Sequence, residues 1–417
     1  MSDLQTQSAL SLPASPDLRH LKDQARDLVR ARSAHTLSEA LFRVARLYGY
    51  PSWPKLKAYV ESLGLVGELK TAIDANDFPA VRRLMTRYPD LHRARLGYNE
   101  NGPLTWVAEC RVPRVAPSPT RLAMAAWMIE NGSDIHQGGD GPLMRAALFD
   151  DRIPMMELLV RYGADVNALW KGSYPIICAP CETLQPAALR WLLEKGATPL
   201  IESADYGSPF AMVVATYARD PEGKHGCLEA FAENGFTLPD TPPMAIHRGS
   251  IGLLEQHLQR DPNLLQRHFV LDDIYPSSLG IRPGDGLHGT PLEGATLLHL
   301  AVEYQEREIV HWLIEQGADV NARAQNEEVQ GATPLYHAVV TCGEKTDETA
   351  RLLLDHGANP NVRADLRKQF RHMGDSEREK MHEFPDVTPL AYARRFQEAW
   401  MVNEPAVTLL IARGGVA

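Results

Sequence analysis

Two cysteines in this chain have a spacing that can do chemistry. Cys178 and Cys181 form a Cys-Ala-Pro-Cys segment, and this spacing is used by thiol redox enzymes and by zinc sites. A redox site needs the pair beside a strand-helix-strand unit, where a helix N-terminus lowers the thiol pKa, and a structural zinc site needs two further ligands. Cys110, Cys227 and Cys342 stand alone in the sequence. We therefore predict that Cys178 and Cys181 are small buried residues without a catalytic or metal-binding role.

A second motif, Gly-Asp-Gly-Leu-His-Gly at residues 284–289, has the spacing of a dinucleotide-binding loop. Such a loop holds a pyrophosphate only where it follows a strand and opens a helix. Here it is followed by Thr-Pro-Leu-Glu-Gly, which is more typical of a turn, so we predict a loop and no cofactor. The sequence shows no phosphate loop with a lysine and no His-Glu-x-x-His motif, which argues against an enzyme without excluding a site built from distant residues.

Composition narrows the class of partner. The 417 residues carry 43 Lys and Arg against 53 Asp and Glu, a formal net charge of -10, which opposes binding to the phosphates of nucleic acids. No apolar stretch is long enough to span a membrane, and five cysteines are too few and odd in number for a disulfide framework. We predict a cytoplasmic protein that binds neither nucleic acid nor membranes.

The scaffold follows from a repeated phrase. Gly-Ala-Asp-Val-Asn-Ala occurs at residues 163–168 and again at 317–322, and looser copies begin at Gly132, Gly196 and Gly357. An apolar run typical of a helix precedes these copies, and the glycine predicts the end of that helix because it enters the left-handed conformation without a clash. Upstream, Thr-Pro pairs at residues 333–334 and 388–389 predict a helix cap followed by a first-turn proline.

These phrases resemble the ankyrin repeat, whose mark is Thr-Pro-Leu-His-x-Ala, a second helix and then Gly-Ala-Asp-x-Asn at a period near 33 residues. The resemblance implies an all-α solenoid of about nine helix-turn-helix units over residues 64–417. Two insertions interrupt the period, at residues 268–293 and 365–385, and both are candidates for partner contact. Residues 365–385 allow two interpretations. One is a solvated loop or short helix without a function, and the other is a projecting finger that binds a partner.

Residues 1–63 do not repeat, but their apolar residues predict helices. Leu18, Leu21, Ala25 and Leu28 share one helical face, Leu37, Leu41, Val44 and Tyr48 share another, and a third helix is predicted to start near Trp53. We predict a helical cap that covers the first repeat. The segment also resembles the leader of bacterial ankyrin arrays, which implies a bacterial source.

The resemblance implies a protein-interaction module or scaffold that binds a protein partner through its concave groove and inter-repeat loops. It places a set of residues in the groove: Glu109, Cys110, Leu148, Phe149, Glu182, Glu303, Tyr304, Thr341, Arg395 and Phe396. It also implies a structural hydrogen-bonding role for His299. Two alternatives stay open: an enzyme with a site on an insertion or at the cysteine pair, and a secreted effector or inhibitor of another protein. His337 and Arg145 occupy positions where the family usually has an apolar residue, and the sequence does not explain them.

Overall fold

The structure, a computed structural model, describes residues 10–13, 16–96, 101–199, 208–281, 288–325, 331–369 and 381–417. Within these ranges the chain is helical except for two short strand pairs, which confirms the prediction of an all-α helical-repeat fold. The helices are α1 (Leu18–Arg30), α2 (Leu37–Leu47), α3 (Trp53–Asp74), α4 (Phe78–Arg87), α5 (Pro103–Glu109), α6 (Pro119–Glu130), α7 (Gly141–Ala146), α8 (Ile153–Arg161), α9 (Cys178–Glu182), α10 (Pro186–Glu194), α11 (Pro209–Ala215), α12 (Pro221–Glu233), α13 (Pro242–His247), α14 (Ile251–Arg260), α15 (Leu271–Ile274), α16 (Leu297–Glu303), α17 (Arg307–Glu315), α18 (Pro334–Val339), α19 (Glu348–Asp355), α20 (Pro389–Arg395) and α21 (Glu404–Ala412). The strands are β1 (Leu169–Trp170), β2 (Tyr174–Pro175), β3 (Ala364–Gln369) and β4 (Met381–Val387).

Successive helices pair into nine repeats in the part of the chain described. Repeats 1 to 9 are α3/α4, α5/α6, α7/α8, α9/α10, α11/α12, α13/α14, α16/α17, α18/α19 and α20/α21. The chain divides into two compact units, residues 1–137 and residues 138–417. The first unit holds the leader helices and repeats 1 and 2, and the second holds repeats 3 to 9.

The leader forms the three predicted helices. Leu21 and Ala25 of α1 pack against Val44 of α2 and against Leu56 and Val60 of α3 in one buried cluster. α3 is a single helix that continues to Asp74 and supplies the first helix of repeat 1. The boundary drawn at residues 63 and 64 therefore lies inside a continuous helix.

The repeated phrase ends helices and joins repeats. Gly163 has φ +105° and its N–H bonds to the carbonyl of Val160, while the N–H of Ala164 bonds to Leu159 O. This is the Schellman arrangement that satisfies the last carbonyls of a helix. Gly317 and Ala318 repeat it at the end of α17, so the predicted helix stop is confirmed.

The asparagine of the phrase ties one repeat to the next. Asn321 Nδ2 donates to Gly357 O over 2.9 Å, and Asn321 Oδ1 accepts from the N–H of Asn359 over 2.8 Å. Asn167 and Asn361 make the same pair of bonds to the following repeat. Each asparagine thereby fixes the spacing between neighbouring helix ends.

The two ends of the insertion at residues 365–385 pair with each other as an antiparallel ribbon of β3 and β4. The prediction of a loop or short helix was wrong there, because buried Ala364, Leu366 and Lys368 alternate with exposed residues, as in a strand with one packed face. Phe384 packs on the ring of Tyr392, which anchors the ribbon on repeat 9. Residues 370–380 lie outside the described residues, so the projecting finger stays a prediction.

The insertion at residues 268–293 contains α15 and a 3-10 turn at Ser277–Leu279. Phe269 and Ala295 form an isolated antiparallel bridge that closes it. Residues 282–287 lie outside the described residues, and with them most of the Gly-x-Gly-x-x-Gly motif.

Candidate functional site

A buried carboxylate organises the turn between the two helices of repeat 7. Glu303, the last residue of α16, is 1% exposed. Its Oε1 accepts from Arg219 Nη2 over 2.9 Å and from the N–H of Gly289 over 2.7 Å, and its Oε2 accepts from His337 Nδ1 over 2.8 Å. Arg219 also donates from Nη1 to Thr216 O over 2.7 Å. Glu303 thus joins the turn of repeat 5 to α18 of repeat 8.

Both ends of the ion pair stay charged. Burial by itself raises the pKa of Glu303, but the hydrogen bond from His337 and the charge of Arg219 outweigh it and lower this pKa to about 2. Burial lowers the pKa of Arg219, but the surrounding negative charges, that of Glu303 foremost, together raise this pKa above its ordinary value. A desolvated pair of this kind holds its geometry because neither group has water as an alternative partner.

A second buried pair lies beside the first. Lys224 Nζ is 3.2 Å from Glu306 Oε1, and His225 Nε2 is 2.9 Å from Glu306 Oε2. The Lys224 ammonium lies 4.1 Å and the Arg219 guanidinium 4.8 Å from the centre of the Tyr304 ring, within the range of cation–π attraction. We call Arg219, Lys224, Glu303, Glu306 and His337 the charged network.

A glycine turn in repeat 6 allows a direct contact between repeats 5 and 7. Gly249, in the turn between α13 and α14, has φ +62°, and a Cβ there would lie 2.0 Å from Cε1 of His225. With no side chain at this turn, the His225 imidazole of repeat 5 extends across it to Glu306 of repeat 7. Repeats 5 and 7 therefore bond directly over the turn of repeat 6.

An acidic cleft of about 540 Å³ opens next to the charged network. Its lining residues come from the turns of repeats 5 to 8: Arg219, Asp220, Pro221, Glu222, His225, Gly249, Gln305, Glu306, Arg307, Glu308, Ile309 and Glu344. Glu344 pairs with Arg307 over 2.7 Å. Glu222 and Glu308 are exposed and have no ion-pair partner among the residues that the structure describes. The cleft thus offers two unneutralised carboxylates on a rigid base.

Family comparisons identify the scaffold. Residues 274–364 match a family model of three ankyrin repeats, and residues 138–171 match a model of a single ankyrin repeat. The chain therefore contains ankyrin repeats. A similar relative is the fowlpox virus protein named as ankyrin repeat protein FPV022, 23% identical over 65% of this chain and 44% of its own length. The mouse B-cell lymphoma 3 protein homolog is 32% identical over 30% of this chain and 27% of its own length.

This ankyrin chain spans less than half the length of those curated relatives. They come from a virus and a mammal, and they give no support to a bacterial source. No helix among the described residues is long and apolar enough to cross a bilayer. In the same residues, no group of three or more His, Cys, Asp or Glu side chains is arranged to hold a metal ion.

Most of the residues assigned to the groove do not face solvent. Six of the ten are buried, and they are Glu109, Cys110, Glu303, Tyr304, Thr341 and Phe396. The sequence placed these six positions in an open groove, but the structure buries their side chains. Leu148 and Phe149 are half-buried, and Glu182 and Arg395 are exposed. These four positions stay a prediction.

The structure explains the two departures from the ankyrin pattern and the motif histidine. His337 is polar because it donates to Glu303, and the Arg145 guanidinium lies 5.5 Å from the Trp170 ring. His299 donates from Nε2 to Ala332 O over 2.9 Å and accepts the N–H of Thr296 at Nδ1, which confirms its structural role. Its burial lowers its pKa to about 3, so this imidazole is neutral.

Sequence reasoning missed Arg219, Lys224, His225 and Glu306. One signal was available: Lys224 stands three and four positions before Cys227 and Leu228 of α12, on the face that is buried. A lysine on a buried helical face requires an internal partner.

The cysteine pair lies in the interior of this fold. Cys178 and Cys181 lie in α9 and are fully buried. Burial raises the pKa of Cys178 to about 12 and raises that of Cys181 well above its ordinary value. The thiolate that redox chemistry needs is therefore disfavoured, and the prediction of small buried residues is confirmed.

Proposed function

We propose that this ankyrin repeat protein binds a partner protein by holding a basic segment of that partner in the acidic cleft. Ankyrin arrays are protein-interaction scaffolds, which sets the general class. The observation that carries the finer proposal is the pair of exposed carboxylates on the rim of the cleft, Glu222 and Glu308, which have no ion-pair partner among the described residues.

The charged network supports the proposal by holding the cleft in one shape. Arg219 and Glu306 line the cleft and are fixed from behind by Glu303 and Lys224. A surface that is already ordered loses little entropy when a ligand binds. Lysine or arginine side chains of the partner would pair with Glu222 and Glu308, and this complementarity raises the association rate at low salt.

The test is affinity capture from the native host with the intact chain, followed by crosslinking and mass spectrometry. The Glu222→Lys/Glu308→Lys variant should recover the partner at least about tenfold less well than the unaltered chain. A matched control, Glu157→Lys/Glu255→Lys, changes the net charge equally at exposed positions outside the cleft and should recover it fully. Equal recovery by both variants, with unchanged helical circular dichroism, would place the interface elsewhere.

The four groove positions that are not buried are tested in the same assay. Phe149→Asp and Arg395→Glu should each weaken recovery if the partner extends from the cleft along neighbouring turns. Full recovery by both variants would confine the contact to the cleft.

A further inference from the structure

The first compact unit carries a surface of the opposite charge. One face of α4 forms a shallow pocket of about 560 Å³, lined by Phe78, Pro79, Arg82, Arg83, Thr86 and Arg87. The three arginines are exposed. None of them has a carboxylate within ion-pair distance among the residues that the structure describes.

Some arginines of this protein pair with a carboxylate close by in the sequence, whereas those of α4 do not. Arg43 pairs with Glu39 and Arg351 with Asp347, each four residues earlier in the chain. α4 contains no acidic residue, and the carboxylate just before it, Asp77, accepts the N–H of Ala80 as a helix cap. Within the described part of the chain, the α4 face therefore has no carboxylate paired with its arginines.

Charge is also divided between the two units. Residues 1–137 contain 18 Lys and Arg against 14 Asp and Glu, whereas residues 138–417 contain 25 against 39. The basic α4 face therefore belongs to the one unit with a positive balance, in a chain whose net charge is -10.

The spacing of the arginines limits what they can bind. Arg83 and Arg87 are four residues apart on the helix, about 6 Å along its axis, which matches carboxylates on successive turns of another helix. Each guanidinium can bind a carboxylate through two parallel hydrogen bonds. Phe78 and Pro79 add apolar surface beside the charges, which a protein segment can cover and a bare phosphate cannot.

We propose that the exposed face of α4 docks an acidic helical segment of a protein partner, with glutamate or aspartate side chains on successive turns. This surface is separate from the acidic cleft, and its charge selects a different kind of segment. A nucleic acid fits less well because its long run of phosphates is repelled by the negative net charge of the chain.

The experiment uses the full chain and two synthetic alanine-based helical peptides of identical composition, labelled for fluorescence anisotropy. One carries three glutamates on successive turns, and the other carries them consecutively. We expect the first to bind at least about fivefold more tightly at low salt and to weaken as salt is added. Arg82→Gln/Arg83→Gln/Arg87→Gln should reduce its binding at least about tenfold, and the control Arg26→Gln/Arg30→Gln/Arg43→Gln, whose arginines already have partners, should not.

Three results would overturn the proposal. Equal affinity for the two peptides, or for the two arginine variants, would show that binding does not depend on this face. Tighter binding of a single-stranded oligonucleotide of equal charge would assign the face to nucleic acid. Sedimentation that shows a dimer abolished by the α4 variant would make a second copy of the chain the occupant. Failure of this test leaves the acidic cleft untouched, because the cleft variants alter residues of the other unit.

Discussion

His337 donates a hydrogen bond to Glu303 over 2.8 Å, and both side chains are completely buried. The two residues lie on the first helices of repeats 8 and 7, and Glu303 at the same time binds Arg219 of repeat 5. Removing the charge of Glu303 would leave the buried charge of Arg219 without its carboxylate partner.

Glu303→Gln should therefore destabilise the fold strongly. The substitution keeps the shape of the side chain but strands the Arg219 guanidinium in the interior, at a cost of about 3–5 kcal/mol. Glu315→Gln, which removes an exposed carboxylate paired with His311, should cost less than about 0.5 kcal/mol. Urea unfolding followed by circular dichroism measures both, and equal midpoints would contradict a structural role for the network.

Stability should fall as the solution becomes acidic. Burial holds the pKa values of His247 and His288 well below 6.5 and that of His299 near 3, so the unfolded chain takes up these protons first. The contribution of His299 is complete above pH 6.5 and is lost between pH 6.5 and about 3, at about 1.4 kcal/mol per pH unit. His247 and His288 add losses in the same direction as the pH falls below 6.5.

Glu303 adds a further loss at lower pH, between its ordinary pKa of 4.5 and about 2. Urea midpoints at a series of pH values measure the combined effect. His299→Gln should flatten the profile below pH 6.5, and His311→Gln, at an exposed position, should leave it unchanged. A midpoint that stays constant down to pH 4 would show that the imidazoles are not buried in solution.

Two glycines three residues apart should respond in opposite directions to alanine. Gly249→Ala places a side chain in a left-handed turn and against His225, and should cost about 1–3 kcal/mol. Gly252→Ala, inside α14 with no atom within 4 Å of the new Cβ, should stabilise by up to about 0.5–1 kcal/mol. Thermal melts compare the two, and a loss of equal size in both would show that contact with His225 is unimportant.

The leader should protect repeat 1. Removing residues 1–50, just before α3 begins, takes away the partners of Leu56 and Val60 and exposes an apolar face of α3. We expect a lower melting temperature and a tendency to aggregate. A shortened chain that stays monomeric and melts with the intact protein would show that the leader is an appendage.

Local signals in the sequence predicted most of the fold. The stops at Gly163 and Gly317 and the apolar faces at Leu21 and Val44 depend on residues within a few positions, and the structure forms the helices they predict. The charged network could not be read in this way, because Arg219 and Glu303 are 84 positions apart.

The burial of six groove positions could not be predicted for a related reason. The general repeat pattern places residues such as Tyr304 on the surface, whereas here a neighbouring ring, that of Tyr275, shares a hydrogen bond with its hydroxyl in the interior. Tyr275 belongs to the insertion at residues 268–293, which has no counterpart in the repeat pattern.

The bond between His225 and Glu306 passes over the turn at Gly249. A simple stack of repeats can unravel from either end one unit at a time, because each unit touches only its neighbours. Here a direct bond joins repeats 5 and 7 across repeat 6. Unfolding that starts at the C-terminal repeats should therefore stop at α16. When the protein is stretched from its two ends in a force-spectroscopy experiment, the segment from α12 to α18 should unfold in a single step.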